Sequence, residues 1–277
     1  MIKKKILLTG SNGQLGNSVK SFFNKKYIVQ AVSRDYLPAY SKKKFINYIN
    51  DFSPDIIINC AAIVGLKRAT LNKQETKEIN EVLLKTLIEV SKKKNIHLIQ
   101  ISTHSVFDGY TDQNGFNESY KPKPLSFYAI TKYNAENIII SGYDNYTILR
   151  LPYLYSADFT KETNVLNKII KDIYNGKVEV KKKEISSLIQ VDSVAKAIND
   201  VILNNANGIY HCADLGTFDW HSLIMYVSNS LNINVKINDI TKSNSSIKNT
   251  TLLSQNPFFG YSSWQYGVDK IIMEFKK

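Results

Sequence analysis

Arginine is almost missing from this chain. Only Arg34, Arg68 and Arg150 stand among its 36 basic residues, although the formal net charge is +12. Guanidinium groups are the preferred readers of phosphates and guanine edges, so this basic balance does not read as a nucleic-acid surface. The lysines fall in short scattered runs (3–5, 42–44, 92–94 and 181–183) and read as solvated faces whose field favours an anionic small substrate. Cysteine is scarce too. Cys60 and Cys212 both sit in apolar contexts, which excludes a disulfide framework and fits buried thiols in a reducing cytoplasm. No Cys/His cluster has zinc-ligand spacing, so no metal is expected. No apolar run approaches the roughly 20 residues of a membrane span. The opening "MIKKKILLTG" carries too short an apolar run for a secretory signal. The expectation is a cytoplasmic protein with no membrane partner.

What is present is alternation. With 277 residues, the chain can bury one large core and a smaller appended lobe. Apolar runs at "KKILLTG", 27–33, 54–62, 96–103 and 146–152 read as strands. Between them, 13–24, 41–51, 76–94 and 126–141 show helical spacing. Near-continuous apolar strands imply burial on both faces, as in a parallel sheet. The βα repeats predict an α/β fold, a Rossmann-like doubly wound parallel sheet over residues 1–155. From 156 to 277 the segments become intermittent: helices near 162–175, 192–204 and 219–231, short strands at 178–180, 187–191 and 207–212, and a closing helix. This predicts a smaller C-terminal substrate-binding lobe, with some segments returning to the first domain.

Gly10, Gly13 and Gly16 lie between the first strand and the first helix, in "GSNGQLG". The first allows a sharp turn, the second close approach of a pyrophosphate to backbone, and the third tight helix–strand packing. The helix N-terminus adds free N–H groups. Residues 10–16 (Gly10, Ser11, Asn12, Gly13, Gln14, Leu15, Gly16) are therefore the expected dinucleotide cradle. At the end of the second strand, Ser33 and Arg34 occupy the place where an acid would bind the ribose of NAD. Arg34 can pair with a 2′-phosphate, which favours NADPH; Asp35 keeps NADH open.

Tyrosine and lysine are abundant, and three Tyr-x-x-x-Lys pairs occur: Tyr40/Lys44, Tyr128/Lys132 and Tyr266/Lys270. The spacing alone decides nothing. Only Tyr128/Lys132 follows the fourth strand, whose end "QISTHS" offers Ser102 and Thr103, and catalytic groups of open parallel sheets gather at the carboxyl ends of strands. A ketone accepting hydride needs a proton donor. Free tyrosine titrates near pH 10, and an ammonium one helical turn away is expected to lower that value. The Thr103 hydroxyl would polarise the carbonyl.

With these segments, "LLTGSNGQLG", "PDIIINCAA", "EIN", "ISTHSVFDG", "PLSFYAITKYNAE" and "LRLPYLY", the chain resembles the extended short-chain dehydrogenase/reductases. Within them it looks most like the dTDP-4-dehydrorhamnose reductase group. The resemblance covers nearly the whole chain. It implies NAD(P)H-dependent reduction of a nucleotide-linked 4-keto-6-deoxy sugar, with Thr103, Tyr128 and Lys132 catalytic. It places Cys60, Ala61, Ala62 and Ile63 against the cofactor and Thr103, His104, Ser105 and Tyr153 against the sugar. A nucleotide sugar is the expected partner, and homodimerisation stays open. The departures fall on the substrate side. His104 and Ser105 replace an acid and an aromatic, Lys67 replaces an aspartate, and Tyr153 replaces a tryptophan. A different sugar is therefore open. So are two alternative activities, an epimerase or dehydratase of the same superfamily and a non-catalytic cofactor-binding regulatory subunit. The absence of an acid pair after Thr103 argues against a dehydratase. Asn80 either holds backbone or water near the site or caps a loop. His97, His211 and His221 read as structural, and Trp220 and Trp264 as packing.

Overall fold

Five apolar runs and one late strand assemble into a single parallel sheet. The computed structural model describes residues 3–32, 38–110, 114–180, 184–240, 248–255, 259 and 262–276, without the side chains of 38–40. The first half alternates β1 (Lys5–Thr9), α1 (Gln14–Phe23), β2 (Ile28–Ala31), α2 (Pro38–Phe52) and β3 (Ile56–Asn59). Short helices α3 (Leu66–Leu71) and α4 (Lys73–Lys77) follow, then a π-turn over Glu78–Val82 that runs into α5 (Leu83–Lys94). β4 (His97–Thr103), a 3₁₀ turn over His104–Phe107, α6 (Phe127–Gly142) and β5 (Tyr146–Leu151) complete this half.

The second half carries β6 (Tyr153–Tyr155), α7 (Val165–Tyr174), β7 (Val178–Val180), β8 (Glu184–Ser186), β9 (Leu188–Gln190) and α8 (Val191–Leu203). It ends with β10 (Gly208–His211), β11 (Phe218–Asp219), α9 (Trp220–Leu231), β12 (Ile237–Asp239), β13 (Lys248–Asn249) and α10 (Trp264–Phe275).

The central sheet has the order β2-β1-β3-β4-β5-β10, all parallel. Its registers, such as Ile6 with Ile56 and Leu8 with Ile58, explain the layers. Ile6, Leu8, Ile56 and Ile58 face one side, where Leu15, Val19 and Phe23 of α1 meet Val194, Ile198 and Val201 of α8. Leu7, Ile57 and Leu98 face the other, against Phe45 and Ile49 of α2, Leu83 and Leu87 of α5, and Ile139 of α6. Continuous apolar strands are thus buried on both faces, as a parallel sheet requires. Both α8 and β10 come from beyond residue 156, so the central layers draw on the second half of the chain. A third core joins α7, α9 and α10 around Tyr155, Phe218, Trp264 and Val268.

The chain runs outward from β1 to β2 and then crosses back to β3. Strand order reverses there, and the loops leaving the carboxyl ends of β1 and β3 part to open a crevice.

Candidate active site

The crevice is built first by glycine. Gly10 has φ +70°, and a Cβ there would lie 2.6 Å from the Ala61 nitrogen. A Cβ on Gly16 would run into the Gly10 carbonyl. The β1 turn, the β3 end and α1 can therefore touch only without these side chains. Asn59 ties the same ends together. Its Oδ1 accepts from Thr9 Oγ1 (2.5 Å) and the Ala61 amide (3.3 Å), and its Nδ2 donates to Gln100 Oε1 (2.7 Å). The N-cap of α1 is Gly13, with no side-chain cap and no acid in the first turn. Its free amides point where an anion would be stabilised.

A cavity of about 750 Å³ runs from this helix start to the small lobe. Gly13, Gln14, Leu15, Gly16, Cys60 and Ala62 line one end. Thr103, Tyr128 and Lys132 line the middle, and His104, Ser105 and Tyr153 lie toward the small lobe. Gly10, Ser11, Asn12, Ala61 and Ile63 are not wall residues. Gly10 and Ala61 make the turn beneath the wall, Asn12 is exposed, and Ile63 packs into the core on the α5 side. Ser33 and Arg34 lie outside the described residues. Of the other Tyr–Lys pairs, Tyr266 is exposed on α10, and the side chain of Tyr40 lies outside the described residues.

Local capping places the reactive groups. Thr103 ends β4 and caps the 3₁₀ turn through the Ser105 amide (3.1 Å). Ser126 caps α6 through the Ala129 amide (3.2 Å), which sets Tyr128 and Lys132 on its first turns. Tyr128 and Thr103 share the cavity wall, with the Thr103 hydroxyl placed to favour the ionised phenol. Lys132 is buried and donates from Nζ to the Ile101 carbonyl at 2.6 Å.

One expectation reverses. Burial pushes Tyr128 up to about 12, and the Thr103 hydroxyl pulls it back. Lysine does not lower it; the Lys132 ammonium is turned toward β4. Burial takes Lys132 itself down to about 8, opposed by the charges of Glu136 and Cys60. Desolvation dominates at both groups. Burial likewise raises the Cys60 thiol to about 12, so it is an inert wall residue.

Behind Lys132, one turn further along α6, Glu136 is fully buried. It accepts from Ser102 Oγ (2.5 Å) and from Arg150 Nε (3.0 Å) and Nη2 (2.7 Å). This pair bolts α6 to β4 and β5 beneath the reactive groups. Asn80, in the π-turn, accepts from the Ile63 amide (2.9 Å) and donates to Thr131 Oγ1 (3.0 Å); it holds a loop. His97 bonds Thr147, and His211 bonds the Phe116 and Leu253 carbonyls.

Sequence reasoning missed several cavity walls: Arg68 on α3, Asp108 after the 3₁₀ turn, Thr163 before α7, and Glu184, Lys248 and Thr250 from the small lobe. The departure at Lys67 lies next to Arg68 in the sequence. Nothing marked Glu184.

A cavity at the reversal of a parallel sheet, with hydroxyl, phenol and ammonium at its centre, places the protein among the extended short-chain dehydrogenase/reductases. Over residues 4–275 it matches the family described as RmlD substrate binding domain, and it belongs to that family. It is 24% identical to a dTDP-4-dehydrorhamnose reductase of Sinorhizobium fredii, over 80% of this chain and 77% of that protein. It is also 27% identical to the methionine adenosyltransferase 2 subunit beta of Xenopus tropicalis, over 55% of this chain and 47% of that protein. Its fold matches the crystal structure of a dTDP-4-dehydrorhamnose reductase from Bacillus anthracis in complex with NADP. The TM-score is 0.88 at 23% identity, covering 99% of this chain and 100% of that one. Among the described residues no helix is long and apolar enough to cross a membrane.

Proposed function

We propose that this protein is an NADPH-dependent reductase of a nucleotide-linked 4-keto-6-deoxy sugar, with Thr103, Tyr128 and Lys132 as its catalytic residues. The observation that carries this reading is the convergence of Thr103, Tyr128 and Lys132 on one cavity that begins at the glycine turn. The names of the dTDP-4-dehydrorhamnose reductase relatives support it.

The residues fit a dinucleotide. The uncapped start of α1 faces the cavity, and glycine leaves room for phosphates against backbone. Gly13, Gln14, Leu15 and Gly16 would hold the pyrophosphate, and Cys60 and Ala62 would flank the nicotinamide half. When bound, NADPH supplies the hydride. NADPH rather than NADH is proposed from Arg34, and from the NADP held by the Bacillus anthracis reductase.

Thr103 orients the sugar carbonyl through its hydroxyl. Tyr128, kept neutral by burial, donates its proton as negative charge builds on that oxygen. An alkoxide is a stronger base than a phenolate even when the phenol titrates near 12, so the transfer runs downhill. Lys132, one turn further along α6 with its ammonium held at the Ile101 carbonyl, would hold the nicotinamide ribose of the bound cofactor. His104, Ser105 and Tyr153 shape the sugar end.

A second reading, a catalytically silent cofactor-binding subunit, is kept because one relative is named as the beta subunit of another enzyme, methionine adenosyltransferase 2. One assay separates the two: NADPH consumption with dTDP-4-dehydrorhamnose and with UDP-, GDP- and CDP-linked 4-keto sugars. Steady consumption with one of them is expected. NADPH binding without consumption across the panel would favour the silent subunit, and no NADPH binding would sink the dinucleotide reading.

A further inference from the structure

Glu184 opens β8, the middle strand of the three-stranded sheet β11-β8-β13, and lines the cavity. Its carboxylate gathers three donors from three separate elements. Oε2 accepts from the Tyr153 hydroxyl (2.9 Å) and from Trp220 Nε1 (3.2 Å). Oε1 accepts from Thr250 Oγ1 (3.2 Å). Those donors come from β6, from the first residue of α9 and from the segment after β13.

The contacts then close into a ring. Thr250 Oγ1 lies 3.0 Å from Ser186 Oγ, and Ser186 Oγ lies 3.1 Å from His104 Nδ1. His104 meets Tyr153 edge-on, with ring centroids 4.6 Å apart. The path that leaves Glu184 therefore returns to it through the residue next to Thr103. Tyr153 also packs edge-on against Trp220, at 5.1 Å.

An ionised carboxylate is acceptor-only, and its hydrogen bonds are stronger than neutral ones. One such group can hold a phenol, an indole and a hydroxyl together. Burial, together with the Glu184 charge, raises the Tyr153 phenol well above its ordinary range, so it stays a donor.

We propose that Glu184 is the positioning residue of the sugar end. It fixes Tyr153 directly and His104 through Thr250 and Ser186, so the side chains flanking Thr103 present one arrangement to the sugar. The inference rests on the reductase reading above and extends it to a residue that does not touch the reacting atoms.

The test compares the wild type with Glu184→Ala, Glu184→Gln, Tyr153→Phe and the Glu184→Ala/Tyr153→Phe double variant. The probes are NADPH and the one of dTDP-4-dehydrorhamnose and the UDP-, GDP- and CDP-linked 4-keto sugars that the wild type reduces fastest. KM and kcat come from NADPH consumption, and NADPH Kd from fluorescence titration. Glu184→Ala is expected to raise the sugar-nucleotide KM by about tenfold or more, with NADPH Kd within about twofold of wild type. Glu184→Gln should recover most of the loss. Its amide oxygen still accepts from Tyr153 and Trp220, and the Thr250 hydroxyl can accept from its NH₂. Tyr153→Phe should cost less in the Glu184→Ala background than alone, because the two act as one unit. A wild-type KM in Glu184→Ala overturns the inference. So does a parallel loss of NADPH affinity, or strict additivity of the two substitutions. A wild type that consumes no NADPH with dTDP-4-dehydrorhamnose or with the UDP-, GDP- and CDP-linked 4-keto sugars overturns the reductase reading and the inference with it; an active wild type with an unaffected Glu184→Ala overturns the inference alone.

Discussion

Lys132→Met should make the protein more stable while abolishing turnover. Lys132 is 3% exposed, and its ammonium donates to the Ile101 carbonyl at 2.6 Å. Burial lowers its pKa from 10.5 to about 8. That difference corresponds to about 3 kcal/mol of preference for the uncharged form in the fold. Methionine keeps most of the apolar stem and removes the charge. The sign follows from proton binding. Between about pH 8 and 10.5 the unfolded chain holds the lysine proton and the folded chain does not, so stability rises with pH across that window. Below about pH 8 the penalty is present in full; above 10.5 it is gone. Urea unfolding near neutrality should therefore show the variant ahead by up to about 3 kcal/mol, equivalent to a Tm gain of roughly 6–10 °C. The gap should shrink by a similar amount when both proteins are measured above pH 10.5. The tyrosines that titrate in the same range are common to both proteins and cancel. A variant less stable than wild type near neutrality, or a gap independent of pH, would refute the reasoning. Confirmation would mark Lys132 as a group kept for chemistry at the expense of stability.

Two further substitutions test the scaffold. Glu136→Gln leaves the Arg150 guanidinium, 2% exposed, buried without its counter-charge. That costs about 3–5 kcal/mol and should lower Tm by on the order of 10 °C; a calorimetric Tm within a degree or two of wild type would contradict it. Gly16→Ala drives a methyl into the Gly10 carbonyl and forces α1 away from β1. An alanine in a helix is otherwise favoured over glycine by about 1 kcal/mol. NADPH titration should nevertheless show affinity weakened by at least about tenfold, and unchanged affinity would argue against the glycine turn as the phosphate cradle.

The strands and helices of the central sheet were legible because each satisfies a strong local rule. Short runs of β-branched residues such as "III" in β3, too short for a helix, read as strands buried on both faces, and the glycine spacing marks the turn after β1. Thr103, Tyr128 and Lys132 could be brought together in advance because all three lie at the carboxyl end of β4 or the start of the helix that follows. The direction of the Tyr128 shift was not legible. Spacing says that a lysine lies one turn away; it does not say that burial dominates or that the ammonium turns to Ile101. Glu184 was invisible for a different reason. It sits on a three-residue strand with no periodicity, and its partners are 31, 36 and 66 residues away along the chain. The bond between Glu136 and Arg150 is similar: two charged residues in apolar contexts find each other only once α6 lies on β5. The membership of β10 in the central sheet depends on a crossover from the small lobe, which no local pattern records.

The central claim is that Tyr128 hands the proton to the reduced carbonyl. It is tested most directly by single-turnover reduction of dTDP-4-dehydrorhamnose with NADPH by the wild type and by Tyr128→Phe. The account predicts that Tyr128→Phe binds NADPH with nearly wild-type affinity and transfers no measurable hydride on the time scale of the wild-type reaction. Turnover at the wild-type rate in Tyr128→Phe would contradict it.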